Sequence, residues 1–243
     1  MDTLVNAPGI SERVAAINTR VDRAARLAGR VGSDITLIAV TKTVDVDAVR
    51  EVAAAGITDV GENRVQELTS KVADLVDHPQ LRWHLIGQLQ RNKVRKAVEA
   101  ANAIHSIDNL ELAQRVSEQA ERLGKVVDLF AQVNISAETS KSGFTAHDFL
   151  ASSTSLARLP SVHWRGLMTI AQEGADDEML RHVFSELRQL HRTAAESFDP
   201  TGWNALSMGM TNDFEIAIAQ GATHVRVGRA IFGERRIRVG EGI

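Results

Sequence analysis

Cysteine and tyrosine are absent from the 243-residue sequence, and proline occurs only four times. Without cysteine, the chain has no disulfides, no thiolate nucleophile and no cysteine-ligated metal site. Four prolines are too few for a proline-rich linker between domains. The formal net charge is −3 and the sequence pI is about 6.2, so the sequence also lacks the basic excess that predicts nucleic-acid or anionic-membrane partners.

Long apolar runs and targeting segments are missing as well. No apolar stretch reaches the roughly 20 residues of a membrane-spanning helix. The first residues, MDTLVNAPGISERVAAINTR, lack the basic segment and apolar run of a signal peptide. We therefore expect a cytoplasmic protein without a membrane partner.

Metal and nucleic-acid sites are not favoured by the remaining patterns. The eight histidines show no HExxH spacing, and we expect His84 and His163, both in strands, to be packed and hydrogen-bonded rather than metal ligands. The basic run RNKVRK contains Val94, and Val98 follows at helical spacing, so we expect a solvated helix face there and no nucleic-acid partner.

Apolar strand patterns alternate with helical patterns along the whole sequence. The eight strand-like runs are ITLIAVT, TDVGEN, LRWHLIG, AIHSI, VVDLFAQVNI, VHWRGLMTI, WNALSMG and THVRVG. Several are apolar on both faces, as in a parallel sheet covered by helices. Eight such units predict a single α/β domain over residues 1–243, a (β/α)8 TIM barrel. An open doubly wound sheet is the alternative, but the sequence has no glycine-rich dinucleotide fingerprint and no P-loop.

An extra amphipathic helix precedes the first strand. Its apolar positions recur at helical spacing, and Ser11 with Glu12 suggests the N-terminal cap; the apolar set is Ile10, Val14, Ile17, Val21 and Leu27. We expect this helix, within residues 1–34, to pack on the barrel.

Lys42 is the lysine that ends an apolar strand. Barrel enzymes carry their chemistry at the C-terminal strand ends, so its position makes Lys42 a candidate functional residue. One interpretation is a lysine whose stem lies on apolar surface and whose amine reaches solvent. The other is an amine that is partly desolvated beside Val40 and Thr41, which disfavours its charged form and makes it a nucleophile toward a carbonyl.

The last two strand ends suggest an anion site. In SMGMTND, Ser207 and Gly209 precede a helix expected to start near Thr211, and in VRVGRAIFG, Gly228 and Arg229 open another short helix. Backbone amides at such positions bind phosphate in many barrels. A Schiff-base lysine with a phosphate site fits either pyridoxal phosphate or a phosphorylated sugar in an aldolase.

Long motifs in a fixed order resemble one known family. They are LIAVTK, GENRVQEL, WHLIGQLQRNKV, HSID, QVNIS followed by KSGF, GLMTI, and LSMGMTNDFEIAIAQGATHVRVGRAIFG. They resemble the pyridoxal phosphate homeostasis protein family (YggS/PROSC), a relative of the N-terminal barrel of alanine racemase. The resemblance extends from about Ile35 to Gly233 and implies that Lys42 binds pyridoxal 5'-phosphate (PLP) as an aldimine.

The resemblance also implies the surroundings of the cofactor. Asn63 would lie beside it and Met168 would help to enclose its ring. Ser207 and Gly209 would hold the phosphate, with Gly228 on its other side.

Two arginines complete the implied site. Arg226 would face the pyridine nitrogen and, being always charged, would keep the ring a weak electron sink. Arg229 stands where the family commonly has threonine or serine, and it is a further candidate phosphate contact through its amide or guanidinium.

The function implied by the resemblance is a PLP carrier without evident catalysis, with apo PLP-dependent enzymes as candidate recipients. The alternative is an amino-acid racemase-like enzyme with weak activity, and a sugar-phosphate aldolase is the third hypothesis. Racemases of this relationship use a tyrosine from a second domain as the opposite base, whereas this sequence has no tyrosine and ends after the eighth unit. We expect a monomer.

Overall fold

The computed structural model describes residues 8–136, 142–199 and 201–233, and these residues form a closed barrel of eight parallel strands. The strands are β1 (Thr36–Val40), β2 (Asp59–Glu62), β3 (Arg82–Leu85), β4 (Ala103–Ile107), β5 (Val127–Gln132), β6 (Val162–Met168), β7 (Ala205–Met210) and β8 (His224–Val227). Each strand pairs with the next in the sequence, and β8 closes on β1 with Thr36 opposite His224. The predicted (β/α)8 barrel is confirmed, and the open sheet is not formed.

Helices surround the barrel on its outside; the first precedes β1, and each of the others follows a strand. They are α1 (Ile10–Leu27), α2 (Val46–Ala54), α3 (Val65–Asp74), α4 (Val94–Ala100), α5 (Leu110–Arg122), α6 (Ala146–Ala157), α7 (Asp177–Ala194), α8 (Phe214–Ala219) and α9 (Arg229–Phe232). Within the described part of the chain, no helix is both long enough and apolar enough to cross a membrane.

The main hydrophobic core lies between the strands and this outer ring of helices. Alternation along each strand sends one set of side chains outward to the helices and the other into the barrel. On β1, Leu37 and Ala39 belong to the large outer core. Inside the barrel, a small separate cluster joins Ala103, Phe130, Met168 and Ala205. Buried polar side chains, among them those of His105, Ser207 and Arg226, also lie in the interior.

The N-terminal helix packs on the barrel, mainly against α8 and α9. Its N-cap is Gly9, whose amide donates to the Glu12 carboxylate at 2.9 Å, so the cap lies two residues before the predicted Ser11. The Arg20 guanidinium pairs with Glu215 on α8 at 2.6 Å. Leu27, the last residue of the apolar spacing, is 81% exposed at the last turn of α1.

Helix α8 begins at Phe214 rather than near Thr211. The physical reason is a tight turn over residues 210–213: the Asp213 amide donates to the Met210 carbonyl at 3.2 Å, and the Met210 amide donates to the Asp213 carboxylate. The basic run that leads into α4 has the predicted solvated face, with Val94 buried and Arg95 exposed.

Candidate functional site

Lys42 lies in a tight turn directly after β1. The Val44 amide donates to the Thr41 carbonyl at 3.0 Å, so Lys42 and Thr43 are the two central residues of the turn. Thr43 has φ of +63°, which is uncommon and costly for a β-branched residue. The Thr43 amide donates to the Glu67 carboxylate at 3.1 Å. The structure therefore fixes the backbone of Lys42 at the C-terminal mouth of the barrel, with local strain at the next residue.

A buried ion pair holds this turn from below. The Lys71 ammonium, on α3, donates to the Glu62 Oε1 at 2.6 Å and to the Thr41 carbonyl at 2.7 Å. The Thr41 hydroxyl also donates to Glu62 Oε1, at 2.6 Å. Glu62 is fully buried and the Lys71 side chain is 9% exposed. Lys71 thus connects the end of β2 with the residue that precedes Lys42.

The Glu62 carboxyl is the member of this pair whose hydrogen-bonding needs are only partly met. Burial raises its pKa, and the hydrogen bonds from Lys71 and Thr41 oppose that rise only in part. Its second oxygen, Oε2, is buried and has no hydrogen-bond partner. An unsatisfied buried carboxylate oxygen makes the pairing with Lys71 especially important.

Asn63 follows Glu62 at the rim and is half-buried. Gly87, at the end of β3, packs directly on its backbone: a Cβ at Gly87 would lie 2.2 Å from the Asn63 carbonyl oxygen. Only glycine permits this approach. A cleft of about 480 Å³ opens beside Asn63, and its lining includes Gln88 and Lys93.

The ends of β7 and β8 carry the glycines predicted for phosphate. Gly209 has φ of +93°, and a Cβ there would lie 2.6 Å from the Ala217 Cβ, so glycine lets the strand end approach α8. A Cβ at Gly228 would lie 3.4 Å from the Val40 carbonyl oxygen, which places Gly228 next to the strand that leads to Lys42. Arg229 opens α9 as predicted and is exposed.

Met168, Ser207 and Arg226 lie together inside the barrel. Met168 is opposite Ser207 in the β6–β7 pairing, and both are fully buried. The Arg226 guanidinium donates from Nη1 to the Ser207 hydroxyl at 2.7 Å and from Nη2 to the Thr169 carbonyl at 2.9 Å. Burial lowers the Arg226 pKa to about 10, so the group is charged at neutral pH. The phosphate role of Ser207 stays a prediction, and its hydroxyl bonds to Arg226 and to an interior histidine.

The interior polar cluster continues to the opposite rim of the barrel. The Ser207 hydroxyl lies 2.9 Å from His105 Nδ1, His105 Nε2 lies 2.9 Å from His84 Nδ1, and His84 Nε2 lies 2.9 Å from an Asp59 carboxylate oxygen. Burial holds the His105 pKa well below its usual range, and the nearby positive charge of Arg226 acts in the same direction. Burial alone would raise the Asp59 pKa, but the hydrogen bonds from His84 and Thr58 and the charge of Arg82 outweigh burial, so the pKa is lowered.

The expectations for the two strand histidines had different outcomes. His84 is buried and hydrogen-bonded as predicted. The same prediction for His163 was wrong, because its side chain is 67% exposed and lies near Asp128 at the rim. Within the described ranges no group of three or more histidine or acidic residues could hold a metal ion.

Sequence reasoning missed Lys71, His105 and Asp59 as parts of the site. Lys71 stands three residues after Leu68 on the buried side of α3, a position where a charged residue needs a partner. His105 lies two residues after Ala103, on the same inward face of β4, so strand periodicity could have placed it in the interior.

Comparisons with known proteins agree with this architecture. The profile of the family described as "Alanine racemase, N-terminal domain" matches residues 13–236. A Pseudomonas aeruginosa protein named pyridoxal phosphate homeostasis protein is 42% identical over 226 residues, which cover 93% of this chain and 96% of that protein. A protein of the same name from Escherichia coli is 36% identical over 234 residues, which cover 93% and 97% of the two chains.

Solved structures show the same relationship. PipY of Synechococcus elongatus, solved with PLP bound, is 38% identical, has a TM-score of 0.83, and matches 92% of this chain and 100% of its own. Alanine racemase from Corynebacterium glutamicum is only 16% identical, with a TM-score of 0.65 over 93% of this chain and 63% of its own, and shows the fold alone. From the profile match and these identities, the chain belongs to the pyridoxal phosphate homeostasis protein family, whose barrel matches the N-terminal domain of alanine racemase.

Proposed function

We propose that this protein binds PLP through a covalent aldimine at Lys42 and takes part in intracellular PLP homeostasis without catalysing a reaction of its own. The observation that carries the proposal is the turn at Lys42, which is fixed by Lys71 and Glu67 and strained at Thr43. Strain of this kind persists where the surrounding structure imposes it, and it is common at functional sites. The PLP bound to the related PipY supplies the chemical identity of the ligand.

The residues present fit PLP. Gly228 leaves the space beside Val40 that a side chain would fill, and Gly209 brings the end of β7 close to α8. In our proposal, the backbone at Ser207 and Gly209 on one side, and at Gly228 and Arg229 on the other, holds the phosphate. Asn63 and Met168 border the ring.

Lys42 would form the covalent link. Its amine combines with the aldehyde of PLP with loss of one water molecule, and the reverse reaction with water releases the cofactor. Bound PLP supplies an electron-withdrawing ring. Whether that ring is a strong electron sink depends on the group that faces its nitrogen.

Arg226 is the proposed partner of that nitrogen. A guanidinium donates hydrogen bonds and has no proton to give up near neutral pH. The buried charge of Arg226 therefore disfavours protonation of the ring nitrogen, and a ring held in this form stabilises carbanions poorly. This property favours storage of a reactive aldehyde over amino-acid chemistry.

A racemase-like activity is the second candidate, because the fold is that of the alanine racemase barrel. The 243 residues contain no tyrosine, so none of them can be the tyrosine base. Transfer to apo PLP-dependent enzymes, a monomeric state and a cytoplasmic location remain predictions.

Titration with PLP, followed by absorbance, tests the proposal. The wild-type protein should develop the band of the covalently bound cofactor with one equivalent per chain. Lys42→Ala should abolish this band. Lys93→Ala is the matched control, since Lys93 lines the cleft beside Asn63, and it should retain the band. Loss of the band in both variants, or in neither, would contradict the assignment of Lys42.

A further inference from the structure

A continuous hydrogen-bonded chain crosses the barrel interior beneath the proposed cofactor site. It begins at Asp59, at the N-terminal end of β2, and passes through His84, His105 and Ser207 to Arg226 on β8. Each step is between 2.7 and 2.9 Å. The Asp59 side chain is 17% exposed, whereas His84 is 2% exposed and His105 is fully buried.

The chemistry of its two ends gives the chain a direction. Arg226 can only donate, and the ionised Asp59 carboxylate can only accept. With both imidazoles neutral, His84 must donate from Nε2 to Asp59, so its Nδ1 must accept from His105 Nε2. His105 Nδ1 then accepts from the Ser207 hydroxyl. The Ser207 oxygen is left to accept from Arg226.

Burial supports the neutral His105 that this direction requires. Arg226 already brings one positive charge into the interior, and a second buried cation at His105, which contacts no carboxylate among the described residues, would be costly. His105 also stacks on Phe130, with ring centroids 4.0 Å apart, an apolar contact that fixes its ring plane. Its low pKa agrees with the neutral state.

We propose that Asp59, His84 and His105 are positioning residues that act through Ser207 to hold the Arg226 guanidinium where it faces the ring nitrogen of bound PLP. This inference rests on the proposed function, because it assigns a task to Arg226 in the PLP site. The Asp59 carboxylate anchors the chain at the opposite rim of the barrel. A substitution there therefore changes PLP binding without direct contact with the cofactor.

Imidazole ¹⁵N spectra of the full chain, recorded without PLP, test the direction of the chain. Both His84 and His105 should carry their proton on Nε2 and have an unprotonated Nδ1. In Asp59→Asn, the amide can also donate to His84, so the chain loses its fixed direction and His105 should show both tautomers. A wild-type His105 protonated on Nδ1 would overturn the proposal.

PLP binding tests the consequence, with Asp128→Asn as the matched control. Asp128 lies at the same rim and also pairs with Arg82, but no hydrogen bond connects it to His84 in the described structure. Asp59→Asn should raise the dissociation constant of PLP about fivefold, the lower end of typical coupling between linked sites. Asp128→Asn should leave it within about twofold.

A double variant separates a shared chain from independent effects. If Asp59 acts only through Ser207, then Asp59→Asn added to Ser207→Ala should weaken PLP binding no further. Equal effects of Asp59→Asn and Asp128→Asn, or full additivity with Ser207→Ala, would overturn the proposal. Wild-type protein that takes up no PLP would instead refute the proposed function, while the imidazole spectra would still decide the direction of the chain.

Discussion

Removal of Lys71 should destabilise the protein in a pH-dependent way. Lys71→Met keeps the apolar stem but deletes the ammonium that donates to Glu62 and to the Thr41 carbonyl. Breaking a buried pair by removing one partner costs about 3–5 kcal/mol. The carboxyl can limit this cost by taking up a proton. Holding it neutral at pH 7 costs about 3.5 kcal/mol, because the ordinary pKa of 4.5 lies about 2.5 units lower. We therefore expect a loss of about 3 kcal/mol near pH 7.

The sign of the pH dependence follows from the direction of the Glu62 pKa. Burial already raises this pKa in the wild-type protein, and loss of Lys71 raises it further. A carboxyl with a raised pKa in the folded state loses stability as pH rises above the unfolded value, by up to about 1.4 kcal/mol per pH unit. The penalty of Lys71→Met should therefore be small near pH 5 and largest above neutral pH.

Urea unfolding at pH 5 and at pH 7.5 measures both quantities. Lys96→Met is the matched control, because Lys96 is exposed on α4, and it should change the free energy of unfolding by less than about 0.5 kcal/mol. Adding Glu62→Gln to Lys71→Met should remove the extra pH dependence. An equal loss at both pH values, or a loss no larger than that of Lys96→Met, would refute this account of the pair.

Two further substitutions test other parts of the structure. His191→Phe should reduce the acid sensitivity of folding: burial lowers the His191 pKa to about 4, so wild-type stability falls as pH drops below about 6.5, and the variant should lose about 2.5 kcal/mol less between pH 7 and 4.5. Equal pH dependence of unfolding in the two proteins would contradict this. Gly87→Ala should lower the free energy of unfolding by more than about 2 kcal/mol and weaken PLP binding, because its Cβ would lie 2.2 Å from the Asn63 carbonyl oxygen. Gly202→Ala is the control: its Cβ would lie 3.5 Å from the nearest atom, and it should be nearly neutral in denaturation and binding assays.

The barrel was predictable because its pattern is repeated and local. Each strand is an apolar run, and turn residues such as Gly56, with φ of +90°, end the helices between them. Element ends were less predictable, since they depend on individual side chains. Leu27 continues the apolar spacing of α1 but lies past the last turn that faces the barrel, and the contact of Asp213 with Met210 delays the start of α8.

The candidate site was predictable only in its outline. Lys42 and the glycines at the strand ends are visible in the sequence because their positions follow from the barrel. The interior network was not, because the contact between His105 and Ser207 joins residues 102 positions apart in the sequence. Such a pairing depends on the register between strands that are far apart in the sequence, which the sequence pattern does not give.

The most direct test of the central claim is to find which lysine holds the cofactor. The PLP-loaded protein is treated with borohydride, which makes the covalent link permanent, and is then digested and examined by mass spectrometry. The account predicts one adduct per chain, on the peptide that contains Lys42. An adduct on another lysine, such as Lys71 or Lys93, or an even spread over all lysines, would contradict it.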